Sequence, residues 1–235
     1  MNKTNKKLVV VIVALALALV ASFGSTLALL TARTPGLVNT FVATAGLIQG
    51  GTTNFTLTET GATGDQNSGY SQTYEGFIPG DKLQKDPKLA ITTSVTASSY
   101  VFVEIVERNN TYTPAGGEET KLISYTVNTT EWELVEGLTG ANGGKVYIYI
   151  VGEDNVLAKG ANITGSNILL GEGAGDLKNG FVQVANYQDG DDLPDVDPTI
   201  SFYGYAMQSL ADGGVAYANF GVAYTTAFGG TYVAP

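Results

Sequence analysis

Apolar and polar residues alternate with a period of two in short runs along most of the chain. The clearest runs are 53–59, 89–97, 100–107, 121–127, 145–151, 180–185, 199–207 and 214–224. Each run is rich in Val, Ile, Thr, Tyr or Phe and is separated from the next by Gly, Asn, Asp or Pro, which is the pattern of strands joined by turns. Beyond the first 28 residues only a single turn near 208–212 suggests helix. The pattern predicts an all-β fold, an antiparallel β-sandwich of jelly-roll or Greek-key type.

The two sides of the run 100–107 differ in character. Val101, Val103 and Ile105 share one side, which is wholly apolar and therefore belongs in the core, while the opposite side is mixed. In the run 145–151, Tyr147 and Tyr149 stand opposite the aliphatic side. We expect these tyrosines to shield a partly wet sheet face.

The N-terminus has the pattern of an export signal. Three lysines precede an uninterrupted apolar run at 8–23, and Thr26 and Ala28 provide small residues at the −3 and −1 positions of a cleavage site. We therefore expect signal peptidase to be a partner during export and to remove a signal peptide, 1–28. Because apolar character continues through Leu30, a retained membrane anchor is the alternative.

Cleavage after Ala28 would leave two parts, an N-terminal segment 29–41 and a single β-sandwich domain 42–235, with no membrane span expected in the mature chain. The removed peptide contains three of the 12 basic residues and none of the 22 acidic ones, so the mature chain carries a net charge of −13. Nucleic acid is not expected as a partner, because phosphate binding needs a clustered positive surface. An acidic surface keeps an exported protein soluble.

The amino-acid composition excludes several kinds of catalysis. The chain has no His and no Cys, so Ser/His/Asp triads, thiol nucleophiles, His-ligated zinc and disulfides are all impossible within it. Glycoside hydrolysis needs only two carboxylates, and five glutamates are candidates: Glu104, Glu107, Glu131, Glu133 and Glu136. With 22 acidic residues a chance pair is always available. We therefore expect no enzymatic activity.

The segment FIPGDKLQKD, residues 77–86, is predicted to be a specific joining loop between two strands. Pro79 fixes φ at the second position of a tight turn, and Gly80 accepts positive φ at the third position. Asp81 is expected to hydrogen-bond the backbone that follows. We interpret these three residues as a structural turn rather than a binding site.

Four short segments are considered together: NKKLVVVIVALALALVASFGSTLA in the signal, VNTFVATAGLIQ at 38–49, IPGDKLQKD at 78–86 and ISFYGYAMQ at 200–208. They resemble segments of the TasA/camelysin family of secreted biofilm-matrix fibre proteins, which carry a SipW-type signal peptide. The resemblance implies secretion to the extracellular matrix or cell surface of a Gram-positive bacterium. Camelysin-like members have been classed with metallopeptidases, but this chain has no HExxH motif to bind zinc.

The segment 189–197 is rich in aspartate and is the one candidate metal site. Its acidic residues are Asp189, Asp191, Asp192, Asp195 and Asp197. Carboxylate oxygens at this density suit Ca²⁺, although the spacing is not that of an EF-hand. The alternative is an acidic, solvated loop. No other cofactor is expected.

The segment 29–41 is a candidate assembly element. Its apolar residues are Leu29, Leu30, Leu37, Val38 and Phe41, which flank a Pro35–Gly36 break. A sandwich with an open edge can accept such a segment from a neighbouring copy as an added strand, which would give homopolymeric filaments. The alternative is that 29–36 is a disordered tail and the first strand belongs to its own sheet. At the level of function, the alternative is a monomeric surface adhesin or ligand-binding module.

Overall fold

The computed structural model describes residues 39–43, 47–48, 54–65, 69–74, 77–210 and 216–235. The predicted signal peptide 1–28 lies outside the described residues, as does most of the segment 29–41. Within the described ranges, no helix has the length and apolar character needed to cross a membrane.

The described residues form sixteen strands and one α-helix. The strands of the N-terminal half are β1 Asn39–Ala43, β2 Phe55–Thr58, β3 Thr63–Asp65, β4 Gly69–Ser71, β5 Lys82–Gln84, β6 Lys88–Ile91, β7 Ser99–Arg108 and β8 Thr111–Tyr112. The remaining strands are β9 Thr120–Lys121, β10 Ile123–Ser124, β11 Trp132–Thr139, β12 Lys145–Tyr149, β13 Ile163–Asn167, β14 Phe181–Val184, β15 Thr199–Gln208 and β16 Thr231–Tyr232. The helix, α1, spans Phe220–Phe228.

The described strands form one large sheet, two small sheets of three strands each, and the two-stranded pair β8-β9. The large sheet has eight strands in the order β16-β11-β12-β7-β15-β1-β4-β3, and the small sheets have the orders β10-β14-β5 and β13-β6-β2. Neighbouring strands of the large sheet are antiparallel except β1 and β15, which run parallel. At the centre, β7 and β15 pair over ten residues, from Ser99↔Gln208 to Arg108↔Thr199.

The first face of the large sheet packs against the two small sheets. Val103 of β7 and Phe202 of β15 lie in one buried cluster with Phe55 of β2, Ile91 of β6 and Val182 of β14. Burying a side chain of this size contributes roughly 1.5–3 kcal/mol, so this layer is the main source of stability. The arrangement confirms the predicted all-β sandwich and the core position of the apolar side of β7. Since eight strands share one sheet, the jelly-roll topology is not confirmed.

Helix α1 covers the second face of the large sheet. Phe102 of β7 meets Tyr224 of α1 edge to face, with ring centroids 5.4 Å apart, and Tyr205 of β15 meets the same ring at 5.1 Å. The mixed side of β7 is therefore buried as well. On β12 the tyrosines Tyr147 and Tyr149 are half-buried, as predicted, but they lie on the side of the main core, whereas the aliphatic Val146 and Ile148 pack under α1.

The prediction of a strand at 214–224 is wrong, because its last residues begin helix α1. Asn219 caps the helix, with its side-chain oxygen accepting a hydrogen bond from Val222 N at 2.9 Å. Ala223 and Tyr224 are buried on the side that faces the sheet. The spacing of Phe220, Ala223 and Tyr224 is helical, but aromatic and small residues in this run also fit a period of two.

Candidate functional site

The Pro79–Gly80 turn has the predicted geometry. Gly80 has a φ of 85°, and Asp81 N donates a hydrogen bond to Ile78 O at 3.1 Å, which closes a tight turn with Pro79 in its second position. The Asp81 side chain acts in the opposite direction from the one predicted. It accepts a hydrogen bond from Ile78 N at 2.9 Å, because the turn folds that preceding amide back over the carboxylate.

The turn is docked onto the end of β14. Gly80 N donates to Ala185 O at 3.2 Å, and Val184 N donates to Asp81 O at 2.9 Å. A Cβ atom on Gly80 would lie 2.5 Å from Asn186 Oδ1. The prediction that 77–86 is only a joining loop is wrong at 82–84, since Lys82–Gln84 is strand β5 and pairs with β14.

The aspartate segment 189–197 packs beside this turn, and Asp191 is engaged by nearby backbone amides. Asp191 accepts hydrogen bonds from Ala115 N at 2.8 Å and from Gln188 N at 2.9 Å, so its carboxylate holds the loop in place. The other residues predicted as calcium ligands are Asp189, Asp192, Asp195 and Asp197. Among the described residues, no three acidic side chains come close enough to share a metal ion. The geometry therefore gives no support to the Ca²⁺ site.

A cavity of about 200 Å³ lies between the turn and the aspartate segment. Its lining residues are Phe77, Leu122, Tyr187, Leu193, Pro194, Asp195, Asp197 and Pro198. Tyr187 is buried, and its hydroxyl has no hydrogen-bond partner within the described part of the chain. Burial, with the nearby Asp81 charge, raises the pKa of Tyr187, so the hydroxyl stays protonated at neutral pH. The cavity is lined by apolar side chains and two aspartates, and Tyr187 is one of its lining residues.

Sequence reasoning selected segments that contribute residues to this cavity, but it missed Tyr187. Phe77, Asp195 and Asp197 come from the two segments that the sequence analysis selected, and the fold brings them together. Tyr187 was missed because a tyrosine after a strand carries no local sign of being buried without a partner.

The five candidate glutamates lie in different surroundings. Glu104 lies under α1 and is fully buried. Its Oε1 accepts from Asn142 N at 2.8 Å and Gly144 N at 2.9 Å, and its Oε2 accepts from the Asn142 side chain and from the Tyr205 and Tyr224 hydroxyls. Because it accepts five hydrogen bonds, this carboxylate links β7, the 140–144 turn and α1.

The other glutamates are engaged elsewhere or exposed. Glu107 accepts from Lys121, Tyr125 and Asn110, while Glu131 accepts from Asn128 and Ser166. Glu133 accepts from Asn155, and Glu136 is exposed on β11. In these hydrogen bonds no two of the glutamates share a partner, so the contacts support structural roles for the bonded carboxylates.

The predicted assembly residues lie at the boundary of the described structure. Leu29, Leu30, Leu37 and Val38 are outside the described residues, and Phe41 belongs to β1. Five consecutive residue pairs, from Asn39↔Phe202 to Ala43↔Ala206, join β1 to β15 of the same chain. On its other side β1 pairs with β4 at Asn39↔Tyr70.

Comparison with known proteins finds no matching family model, no similar curated protein and no similar solved structure. The resemblance to the TasA/camelysin family therefore stays a prediction from the four sequence segments.

Proposed function

We propose that this protein is a secreted structural subunit that assembles into extracellular fibres, in the biofilm matrix or on the cell surface of a Gram-positive bacterium. The export pattern at 1–28 and the resemblance to secreted fibre proteins support secretion and a structural role. The all-β sandwich is suited to this role, because a sheet can be extended by a strand from another copy.

The observation that carries the proposal is the position of β1. It shares residues 39–41 with the N-terminal segment 29–41, and it lies between β15 and β4 within the large sheet. Its pairing with β15 is parallel in a sheet whose other pairs are antiparallel. Main-chain hydrogen bonds can form with a strand from the same copy or from another copy. A neighbouring copy can therefore supply the strand that lies between β15 and β4.

In the proposed fibre, the segment 29–41 of one copy occupies this place in the next copy. Such a contact is head-to-tail and does not close on itself, so it gives filaments rather than rings. The Pro35–Gly36 break limits strand pairing to one side of the break.

Negative-stain electron microscopy of the mature protein tests this function. We expect filaments from the mature chain and a folded, soluble monomer from a variant that lacks residues 29–36. The matched control replaces 29–36 with a Gly/Ser segment of equal length, which separates loss of the sequence from loss of length. Circular dichroism and thermal unfolding verify that each variant is folded. Filaments of normal appearance from the truncated chain would refute strand donation.

A monomeric ligand-binding module is the second candidate, and the cavity beside Tyr187 is the observation in its favour. A buried hydroxyl that lacks a partner costs free energy, and a ligand that supplies an acceptor would recover it. This function predicts that the mature chain stays monomeric at every concentration tested and that removal of 29–36 changes nothing.

A further inference from the structure

A lysine amine and a carboxyl group are in contact in the interior where the two small sheets meet. Glu59 follows β2 directly, and Lys85 lies between β5 and β6. The Lys85 Nζ atom is 3.0 Å from one carboxyl oxygen of Glu59 and 3.2 Å from the other. Only 4% of the Lys85 side chain and none of the Glu59 side chain is exposed, so bulk water is excluded from the contact.

Aromatic rings surround the two groups. Lys85 Nζ lies 5.3 Å from the ring centre of Phe202 and 5.9 Å from that of Tyr74. The Tyr74 hydroxyl is 3.2 Å from Oε1 of Glu59. The neighbouring carboxylate, Asp86, accepts hydrogen bonds from the amide and hydroxyl of Thr60 and stays fixed beside the pair.

This setting shifts both groups toward their uncharged forms. Burial lowers the pKa of Lys85 to about 8, although the Glu59 charge opposes the shift. Burial raises the pKa of Glu59 and outweighs the attraction of Lys85. An uncharged amine is nucleophilic, and an uncharged carboxylic acid is a far better acyl donor than a carboxylate, so the pair has the two forms that condensation needs.

We propose that Lys85 and Glu59 condense to an intramolecular isopeptide bond in the folded chain. The Lys85 nitrogen attacks Cδ of Glu59, so that an N–C bond forms and one C–O bond breaks. The departing hydroxyl takes a proton from the nitrogen and leaves as water. No group is oxidised or reduced, and no co-reactant is needed.

Tyr74 is positioned to assist this step. Its hydroxyl lies 3.2 Å from the carboxyl oxygen on which negative charge develops when nitrogen adds to the carbon, and 2.5 Å from Gln84 O, its nearest acceptor. Burial, with the Glu59 charge, raises the pKa of Tyr74, so the hydroxyl keeps its proton and can turn it from Gln84 O to this oxygen as the charge develops.

The bond would brace the sandwich covalently. It would join the end of β2, in one small sheet, to the residue after β5, in the other, across 26 residues of sequence. The chain has no cysteine and cannot form a disulfide in an oxidising environment. This inference concerns the folded subunit and does not depend on whether the protein forms fibres.

A second lysine–glutamate pair serves as an internal control. Lys121 Nζ is 2.7 Å from Glu107 Oε1, but 52% of the Lys121 side chain is exposed. Water stabilises the charged forms of an exposed pair, so it stays an ion pair and does not condense.

Intact mass spectrometry of the purified, denatured chain tests the proposal. We expect a mass lower than the sequence mass by one water, about 18 Da, for the N-terminus found in the same sample. Trypsin should release a branched peptide in which 34–82 is joined to 83–88, with no cleavage after Lys85. Lys85→Arg should restore the sequence mass, whereas Lys121→Arg should keep the loss.

A wild-type mass equal to the sequence mass would overturn the proposal, as would a water loss that maps elsewhere or persists in Lys85→Arg. If Lys85→Arg does not fold, the wild-type mass and the branched peptide still decide the question, because neither measurement needs a variant.

Discussion

Gly80 carries the turn that positions Phe77 at the cavity, and two separate constraints act on it. Its φ of 85° belongs to the left-handed region, where a side chain is strained. Its amide donates to Ala185 O, and a Cβ would meet Asn186. Gly143 has the same φ, but a Cβ atom at that position would have no neighbouring atom within 4 Å.

Gly80→Val should therefore cost on the order of 1–3 kcal/mol of unfolding free energy, and more than Gly143→Val. Gly143→Val adds the same strain but meets no docked strand, so it is the matched control. Urea denaturation of the two variants measures the difference. Equal midpoints would show that docking onto β14 adds nothing to the requirement for glycine.

Among the residues under α1, we expect substitution of Glu104 to lower the free energy of unfolding most. Glu104→Gln would turn an amide NH₂ group toward groups that donate hydrogen bonds to the native carboxylate, and we expect a loss of about 2–4 kcal/mol. Glu136→Gln, on the exposed side of β11, is the control and should stay within about 0.5 kcal/mol of wild type. Similar thermal midpoints for the two variants would contradict the structural role of Glu104.

The difference between predicted and missed residues follows from sequence distance. The Pro79–Gly80 turn could be predicted because its geometry is set by adjacent residues. Tyr187 and the contact between Glu59 and Lys85 depend on chain segments far apart in sequence, and no local pattern marks them. The Asp81 hydrogen bond is local, and its direction was predicted wrongly because aspartate can bond to either neighbour in a turn.

At the scale of elements, helix α1 decides the character of the second face of the large sheet. Strands with strong alternation, such as β7 and β15, could be predicted because their two faces differ in polarity. Strand β11 was missed because Glu133 and Glu136 interrupt its apolar positions and a glycine with positive φ, Gly137, shifts its register. Helix α1 was predicted as part of a strand because its apolar face is short.

Asn219→Ala should destabilise the protein by about 1 kcal/mol, because it removes the side-chain acceptor for Val222 N at the start of α1. Thermal unfolding measures the change. Asn162→Ala, in an exposed loop, is the control and should be near neutral. A wild-type midpoint for Asn219→Ala would mean that the cap contributes nothing.

At the scale of the whole molecule, the large sheet combines an antiparallel block with one parallel strand near the N-terminus. The sandwich class could be predicted from turn spacing and alternation. The strand order could not, because pairing between segments as distant as β1 and β15 leaves no periodic signal in either one. The proposed assembly depends on the pairing of β1 with β15, which can form within one chain or between two chains.

The direct test uses a pair of single cysteine variants, since the native chain has none. Thr40 in β1 lies opposite Tyr203 in β15, so cysteines at these positions fall within the range of a disulfide. Monomers of mature Thr40→Cys and mature Tyr203→Cys are mixed, allowed to assemble and oxidised. The control replaces Tyr203→Cys with Thr199→Cys, whose partner is Arg108 on the other side of β15.

Strand donation predicts a mixed covalent dimer of Thr40→Cys with Tyr203→Cys on a non-reducing gel, and little or none with the Thr199→Cys control. The Thr40→Cys/Tyr203→Cys double variant should then form covalent ladders. If the double variant closes its disulfide within one chain and the mixture gives no mixed dimer, β1 belongs to its own subunit and the proposed assembly is contradicted.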